Sequence, residues 1–266
     1  MSPHFLLPRL SPIAASSFSS SSSRDHATPI ATCTATASSS YLHGLVGATR
    51  SLLLLASLSG GGVEAALLLS RMPSDLVGEK MNSQKFYDAV NFLLSMQSNN
   101  GGFPAWEPRR AYRWLEKFNP TEIFEACLIE SEHIDCTGSA MQALALFRKL
   151  YPNHRRREVD NSISKAIRFM ESKQNLDGSW YSCWEICFTE GAWIAVKGLT
   201  ACGKNYQNCP ALSKTCEFLL SKQLPNGGWG ESYLSCKNMV YTNLEDNRSN
   251  IVQTSWALLA LIGAGQ

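Results

Sequence analysis

The sequence predicts an all-α fold of alternating helix pairs, and three observations carry that prediction. Apolar residues recur at helical spacing ahead of a glutamine in three places, each followed by a glycine-containing turn and an aromatic residue. A second kind of segment places Thr137, Thr189 and Thr254 each three residues before one alanine and six before another. No stretch alternates apolar and polar residues as a half-buried strand does.

Residues 1–50 are expected to form a disordered leader. They are rich in Ser, Ala and Thr, hold Asp25 as their one acid, and run through serines from Ser17 to Ser23, interrupted by Phe18. Such a composition fits either a plastid-type transit peptide or a leader with no targeting role. Residues 51–266 are expected to form one repeat domain. Helical pattern begins near Val63, and a long helix is expected from Ser83 to Gln97. Further helices are expected up to Gln174 and Gln223. Phe92, Phe169 and Phe218 stand five residues before these glutamines, and Phe103, Trp180 and Trp229 six after, which marks an internal repeat. Gln223 lies on the apolar face with Cys216, Leu219 and Leu220. A buried amide must be hydrogen-bonded, so it is expected to tie the helix end to the turn. Pro225, Asn226 and two glycines then stop the helix.

The Ala-rich segments carry Ala140 and Ala143, Ala192 and Ala195, and Ala257 and Ala260. Small residues let helices approach closely, so these are expected to be the inner members of each pair. Such pairs cannot bury their apolar faces alone and must stack or close into a ring.

Composition narrows the function. At 44% hydrophobic residues and net charge +2, the chain has an ample core and no basic surplus for a nucleic-acid groove. Nine cysteines show no zinc-type pairing with histidine, and no signal-peptide pattern precedes them, so reduced thiols are expected. No metal or cofactor is implied, and no apolar run reaches bilayer-spanning length.

The Gln-to-Trp unit resembles the QW motif of the squalene and oxidosqualene cyclases, the triterpene synthases. DGSWYSCWEICFTEGAW (177–193), GGWGESYLSC (227–236) and VYTNLEDNRSNIVQTSWALLALI (240–262) resemble segments of the plant enzymes. The resemblance spans about residues 63–266. It implies a partial α/α barrel, truncated at both ends relative to the family. It also implies an isoprenoid substrate such as 2,3-oxidosqualene, and peripheral membrane association at the endoplasmic reticulum or lipid droplets; the leader keeps a plastid open. In such chemistry an acid protonates the epoxide, and aromatic faces in a dry cavity stabilise the migrating cation.

Residue by residue, the resemblance makes Trp106 and Trp184 cavity aromatics and Cys136 the thiol that supports the catalytic Asp. Gln97, Phe103, Gln174, Trp180, Gln223 and Trp229 take the structural QW role. The family's Asp-Cys-Thr-Ala-Glu acid motif should fall at residues 57–61, where the chain reads Ser57, Leu58, Ser59, Gly60, Gly61. Asp135-Cys136-Thr137 spells the first three letters but lies one repeat later. Asp135 is therefore expected to be a carboxylate at a helix N-terminus, and His133 a surface histidine. Glu185 and Glu190 stand where the family has Gly and Tyr. A chain without cyclase activity is the resulting expectation. The alternatives are a non-enzymatic helical module binding a lipid or protein, and a cyclase using Asp135.

Overall fold

The structure is a computed structural model, and it describes residues 60–120, 128–182 and 186–266. The expected leader, Ser57 and Trp184 lie outside the described residues. Helices dominate: α1 (Gly60–Leu69), α2 (Ser74–Val77), α3 (Ser83–Met96), α4 (Ile134–Leu150), α5 (Arg156–Ser172), α6 (Cys187–Ala201), α7 (Pro210–Ser221), α8 (Leu234–Asn238) and α9 (Ile251–Ala264). Two 3-10 helices, Arg113–Phe118 and Glu245–Asn247, complete the helical set among the described residues. The described strands are a two-residue antiparallel ladder, β1 (Phe103–Pro104) against β2 (Glu132–His133), with Phe103 opposite His133.

Local chemistry sets the helix starts. Asn82 Oδ1 accepts the Gln84 amide at the head of α3, and Asn250 Oδ1 accepts the Val252 and Gln253 amides at the head of α9. Pro210 opens α7, where its missing N–H costs nothing. Gly265, at φ 85°, ends α9.

The helices pack as two layers, the arrangement of a partial α/α barrel. In the inner layer α1 packs on α4, α4 on α6, and α6 on α9; α3, α5 and α7 lie outside them. All six alanines of the Thr-Ala-Ala pattern are buried. Glycines let α4 and α6 approach closely where they cross. A Cβ on Gly138 would strike Ile194, and one on Gly198 would lie 2.9 Å from the Gly138 Cα. Larger residues there would prise the inner layer apart.

The three glutamine turns share one local design. Gly102, Ser179 and Gly228 each donate a backbone N–H to the side chain of Asn100, Asp177 or Asn226 two residues earlier, all at 3.0 Å. Trp180 Nε1 donates to Met170 O at 2.8 Å and Trp229 Nε1 to Leu219 O at 2.7 Å, so each indole is pinned to its own outer helix. The glutamine amides donate to the turn carbonyls of Gly101, Gly178 and Gly227. Two of them also reach the next outer helix. Gln97 Nε2 donates to Ser162 O at 2.9 Å, and Gln174 Nε2 to Ala211 O at 2.8 Å and Thr215 Oγ1 at 3.0 Å.

The apolar-face reading fails at the third unit. Gln223 is exposed and Leu220 is 45% exposed, whereas Cys216 and Leu219 are buried. No outer helix lies over this turn among the described residues, so its outward side faces solvent.

The expectation of reduced thiols is also corrected. Cys187, at the head of α6, is disulfide-bonded to Cys236 in α8, with their Cα atoms 5.6 Å apart. Of the other described cysteines, Cys136, Cys202, Cys209 and Cys216 are free thiols.

Candidate functional site

The chemistry-bearing residues gather where the inner helices begin. At the head of α4 the β1–β2 ladder sets the entry. Thr137 Oγ1 donates to His133 O at 2.7 Å and accepts the Phe103 amide at 2.9 Å, stitching the ladder to the first helical turn. His133 is therefore buried rather than a surface residue, and desolvation holds its pKa below the usual histidine value.

Asp135 occupies the first turn of α4, as expected of a helix N-terminal carboxylate. Its surroundings are dry. The side chain is buried, and neither carboxyl oxygen has a hydrogen-bond partner among the described residues. Burial pushes its pKa up to about 6. Ser182 stands beside it and pulls slightly the other way, but the Ser182 hydroxyl is itself without a well-formed hydrogen bond among the described residues. Cys136 follows, half-buried, and burial, reinforced by the Asp135 and Glu130 carboxylates, pushes its thiol up to about 12. A neutral thiol of this kind is a poor nucleophile and can act as a weak hydrogen-bond donor.

Glu130 links this pair to Trp106. Its Oε1 accepts the backbone amides of Ala105 and, at 3.2 Å, of Trp106. The Glu130 charge that acts on Cys136 thus also holds the Trp106 main chain. The Trp106 side chain, however, is 57% exposed, so the described residues do not enclose it. Glu185 lies outside the described residues, and Glu190 is half-buried in the first turn of α6.

The head of α6 carries a second buried carboxylate, which the sequence reading missed. Glu231 is fully buried. Its carboxylate accepts the Phe188 amide at 3.0 Å, and the Thr189 amide and hydroxyl at 2.7 Å each. It therefore caps α6 from the turn after Trp229 and complements the positive end of the helix. The Gln253 amide holds the Glu231 backbone in place through Glu231 O at 2.9 Å. Burial still outweighs these bonds and raises the Glu231 pKa. Tyr241 sits nearby, its phenol pushed up to about 12 by burial and by the Glu231 charge. The signal that could have located Glu231 is its place two residues after Trp229, beside the cysteine-bearing α8. It has no periodicity to mark it.

No group of three or more metal-type ligands is present among the described residues. The arrangement offers one weak buried carboxylic acid with a neutral thiol beside it, and one carboxylate committed to a helix cap.

Comparison with known proteins places this architecture. The family described as the squalene-hopene cyclase C-terminal domain matches residues 64–266. Alpha-onocerin synthase LCD of Lycopodium clavatum is 45% identical over 204 residues, 77% of this chain and 27% of that protein. Lanosterol synthase of Homo sapiens is 36% identical over 200 residues, 74% of this chain and 27% of that protein. Cycloartenol synthase of Dictyostelium discoideum is 36% identical over 204 residues, 76% and 28% of the two chains. The chain therefore spans just over a quarter of the length of these relatives.

Among solved structures, a variant of the type II terpene cyclase MstE from Scytonema superposes with TM-score 0.50 at 16% identity, covering 86% of this chain and 59% of that one. The polysaccharide lyase BACCELL_00875 superposes with TM-score 0.51 at 13% identity, covering 78% and 60%. A terpene cyclase and a lyase sharing one scaffold show that the layered helices fix the fold and leave the chemistry to the site. The sequence match is what separates the two: the chain belongs to the squalene-hopene cyclase C-terminal domain family, among the triterpene cyclases.

Proposed function

We propose that this chain is a triterpene-cyclase-type helical module that does not itself cyclise 2,3-oxidosqualene. The observation that carries the reading is the state of Asp135. Epoxide protonation calls for a strong acid, a carboxylic acid whose conjugate base is stabilised by hydrogen-bond donors. Asp135 has the opposite environment: burial raises its pKa to about 6, and neither oxygen has a hydrogen-bond partner among the described residues. It is the carboxyl that stands in an Asp-Cys-Thr sequence, and its surroundings make it a weak acid.

The test is expression of the 266-residue chain in yeast that lacks its own cyclase and accumulates oxidosqualene. No cyclic triterpene is expected above the empty-vector control. A cyclic product from the unaltered chain that disappears in Asp135→Asn would overturn the reading and make Asp135 the acid.

A second reading is supported by α9. Ile251, Leu258 and Ile262 recur at helical spacing and are all exposed, an apolar stripe suited to an isoprenoid chain. Under this reading the purified chain retains radiolabelled oxidosqualene on gel filtration, and Leu258→Ser with Ile262→Ser releases it.

A further inference from the structure

Two edges of the helical layers are bare among the described residues, one along α1 and α3 and the other along α7 and α9. The contacts that would cover them are already made elsewhere in the chain, so their requirements can be read from the copies that are filled.

In the outer layer each glutamine turn is a socket for the helix that follows. The first turn receives α5 and the second α7, in one register. Ser162 and Ala211, whose carbonyls accept the glutamine amides, lie twelve residues before Gln174 and Gln223. Lys165 and Lys214, whose carbonyls lie against Gly101 and Gly178, stand nine before. Phe169 and Phe218 stand five before and are buried. The same count back from Gln97 in α3 gives Lys85, Asp88 and Phe92, and all three are exposed. Lys85 is longer than Ser162 or Ala211, but the contact uses its carbonyl, and its stem can carry the ammonium to solvent. At the opposite edge the third turn is open: the Gln223 amide turns to Gly227 O, and nothing lies within 4 Å of a Cβ on Gly227.

The inner layer repeats the mismatch. Gly138, Met141 and Ala145 share the face of α4 that meets α6: Gly138 abuts Ile194, and Met141 and Ala145 are fully buried. The matching residue of α6, Trp193, stacks on Trp256 of α9 at 5.8 Å. Counted from Thr254 as those are from Thr137, the same face of α9 holds Ser255, Leu258 and Ile262, all exposed. At the other edge, the side of α1 turned away from the core carries Ala65, Leu68 and Leu69, exposed at helical spacing.

We propose that a second copy of this chain docks its α1–α3 edge on the α7–α9 edge of the first, continuing both layers from copy to copy. The α3 helix of the second copy takes the place over the Gln223 turn that α5 and α7 take over the two earlier turns, with the Lys85 carbonyl as acceptor for the Gln223 amide. Leu68 and Leu69 then cover Leu258 and Ile262. The register favours a copy over a lipid, which offers no carbonyls and phenylalanine at set intervals for the glutamine turn. Unlike faces meet, so the contact is heterologous and either closes a ring or grows as an open chain. It occupies the α9 stripe that the second functional reading gives to an isoprenoid, and it is independent of Asp135.

The experiment is sedimentation velocity of the purified, lipid-free 266-residue chain over a wide range of concentration. Mass is expected to rise above the monomer as concentration increases. Leu258→Glu with Ile262→Glu disables one edge, and Leu68→Glu with Phe92→Glu the other. Each pair weakens self-association about a hundredfold or more, because it buries charge without a partner. An equimolar mixture of the two variants, each melting as the unaltered chain does, is expected to form a one-to-one heterodimer and nothing larger, since one intact edge remains on each. Hydrogen exchange needs no variant: concentrating the unaltered chain slows exchange at the Gln223–Gly228 turn and at the head of α3. A monomer at every concentration overturns the proposal, including one that retains oxidosqualene instead. So does a mixture that stays monomeric, association that survives in both variants, or slowed exchange confined to other segments.

Discussion

The joints after α3 and α5 differ from the turn after α7, and the difference separates what each unit builds for itself from what it needs from its neighbour. All three turns make the same Asx hydrogen bond, and the indoles of Trp180 and Trp229 reach the same place on their own helices. Those features are local and complete at every copy. The glutamine amide and the positive-φ glycine behave otherwise. At the first two joints the amide bridges to the next outer helix, and a Cβ on Gly101 or Gly178 would collide with the Lys165 or Lys214 carbonyl. At the third, Gln223 bonds Gly227 O, and nothing lies within 4 Å of the Cβ position of Gly227. The same asymmetry shows from the other side. Phe169, which lies against Gly102 of the preceding turn, and Phe218 are 2% and 3% exposed, whereas Phe92, ahead of the first joint, is 38% exposed. The unit is a joint between consecutive outer helices, with a self-made turn at its centre.

The largest effect that tests this contrast is steric. Gly178→Val places a branched side chain at φ 88° against the Lys214 main chain, and is expected to cost about 4 kcal/mol or more. Gly227→Val meets the same backbone strain at φ 84° in open space, and is expected to cost about 1–2 kcal/mol. Urea unfolding of the two variants checks the difference. Equal losses would mean that the close approach at Gly178 carries no energy.

A contrast between met and unmet polar groups recurs in the inner layer, between Glu231, which accepts three hydrogen bonds, and Asp135, which has no partner among the described residues. Burial raises Asp135 from 3.8 to about 6. Between these values the folded chain holds a proton that the unfolded chain has released. Stability therefore falls as pH rises through that window, by up to about 3 kcal/mol. Asp135→Asn is expected to flatten this step and to be the more stable protein at pH 7. Glu231 is also raised by burial and adds a slope of the same sign. The measurement is accordingly the difference between the unaltered chain and the variant in melts taken from pH 4 to 7. A variant that follows the parent curve throughout would place the desolvated carboxyl elsewhere.

How far these features could be read in advance depends on whether side chains or main chain carry them. The helix pairs, the Ala-rich inner layer and the positions of the turns were legible because Gln, Gly, Trp and Ala recur at fixed intervals. That each glutamine would bond its own turn was legible too; the bridge to the next outer helix was not. Its acceptors, Ser162 O and Ala211 O, are carbonyls that any residue supplies, 65 and 37 positions away from their donors. The Cys187–Cys236 bond was hidden for a related reason: among nine cysteines nothing in the spacing singles out that pair. His133 misled because histidine alone says nothing of burial, which here comes from pairing with Phe103 across a ladder too short to show a strand period. At the candidate site, Asp135 and Cys136 were identified by their motif. Their dryness comes from α4 and Ser182 packing together, a contact between segments 47 residues apart.

A smaller difference is expected at the glutamines. Gln174→Ala removes three hydrogen bonds and leaves the Thr215 hydroxyl, which also reaches Gly178 O and Ala211 O, as the remaining polar link across the joint. The cost is about 2 kcal/mol, against about 0.5 kcal/mol for Gln223→Ala, whose amide is exposed and makes one bond. The loss at Gln174 should also appear as faster hydrogen exchange at the start of α7, since the bridge ties that turn to the preceding helix. Equal stability losses, or exchange confined to the Gly178 turn, would reduce the glutamine to a local cap.

The smallest difference is expected where the comparison predicts none. Trp180→Phe and Trp229→Phe each remove an indole bond to the outer helix that precedes the turn, to Met170 O and to Leu219 O. Both rings are fully buried, so each variant loses a hydrogen bond and leaves a small void, about 2 kcal/mol in either case. The two values should agree within about 0.5 kcal/mol, although one tryptophan sits in a closed joint and the other beside an open one. That agreement would fix the boundary between the two parts of the unit. The indole belongs to the turn, which is built from residues already in hand, and the glutamine and glycine belong to the joint. A markedly smaller loss at Trp229 would move the indole across that boundary, because its packing would then depend on the helix that follows.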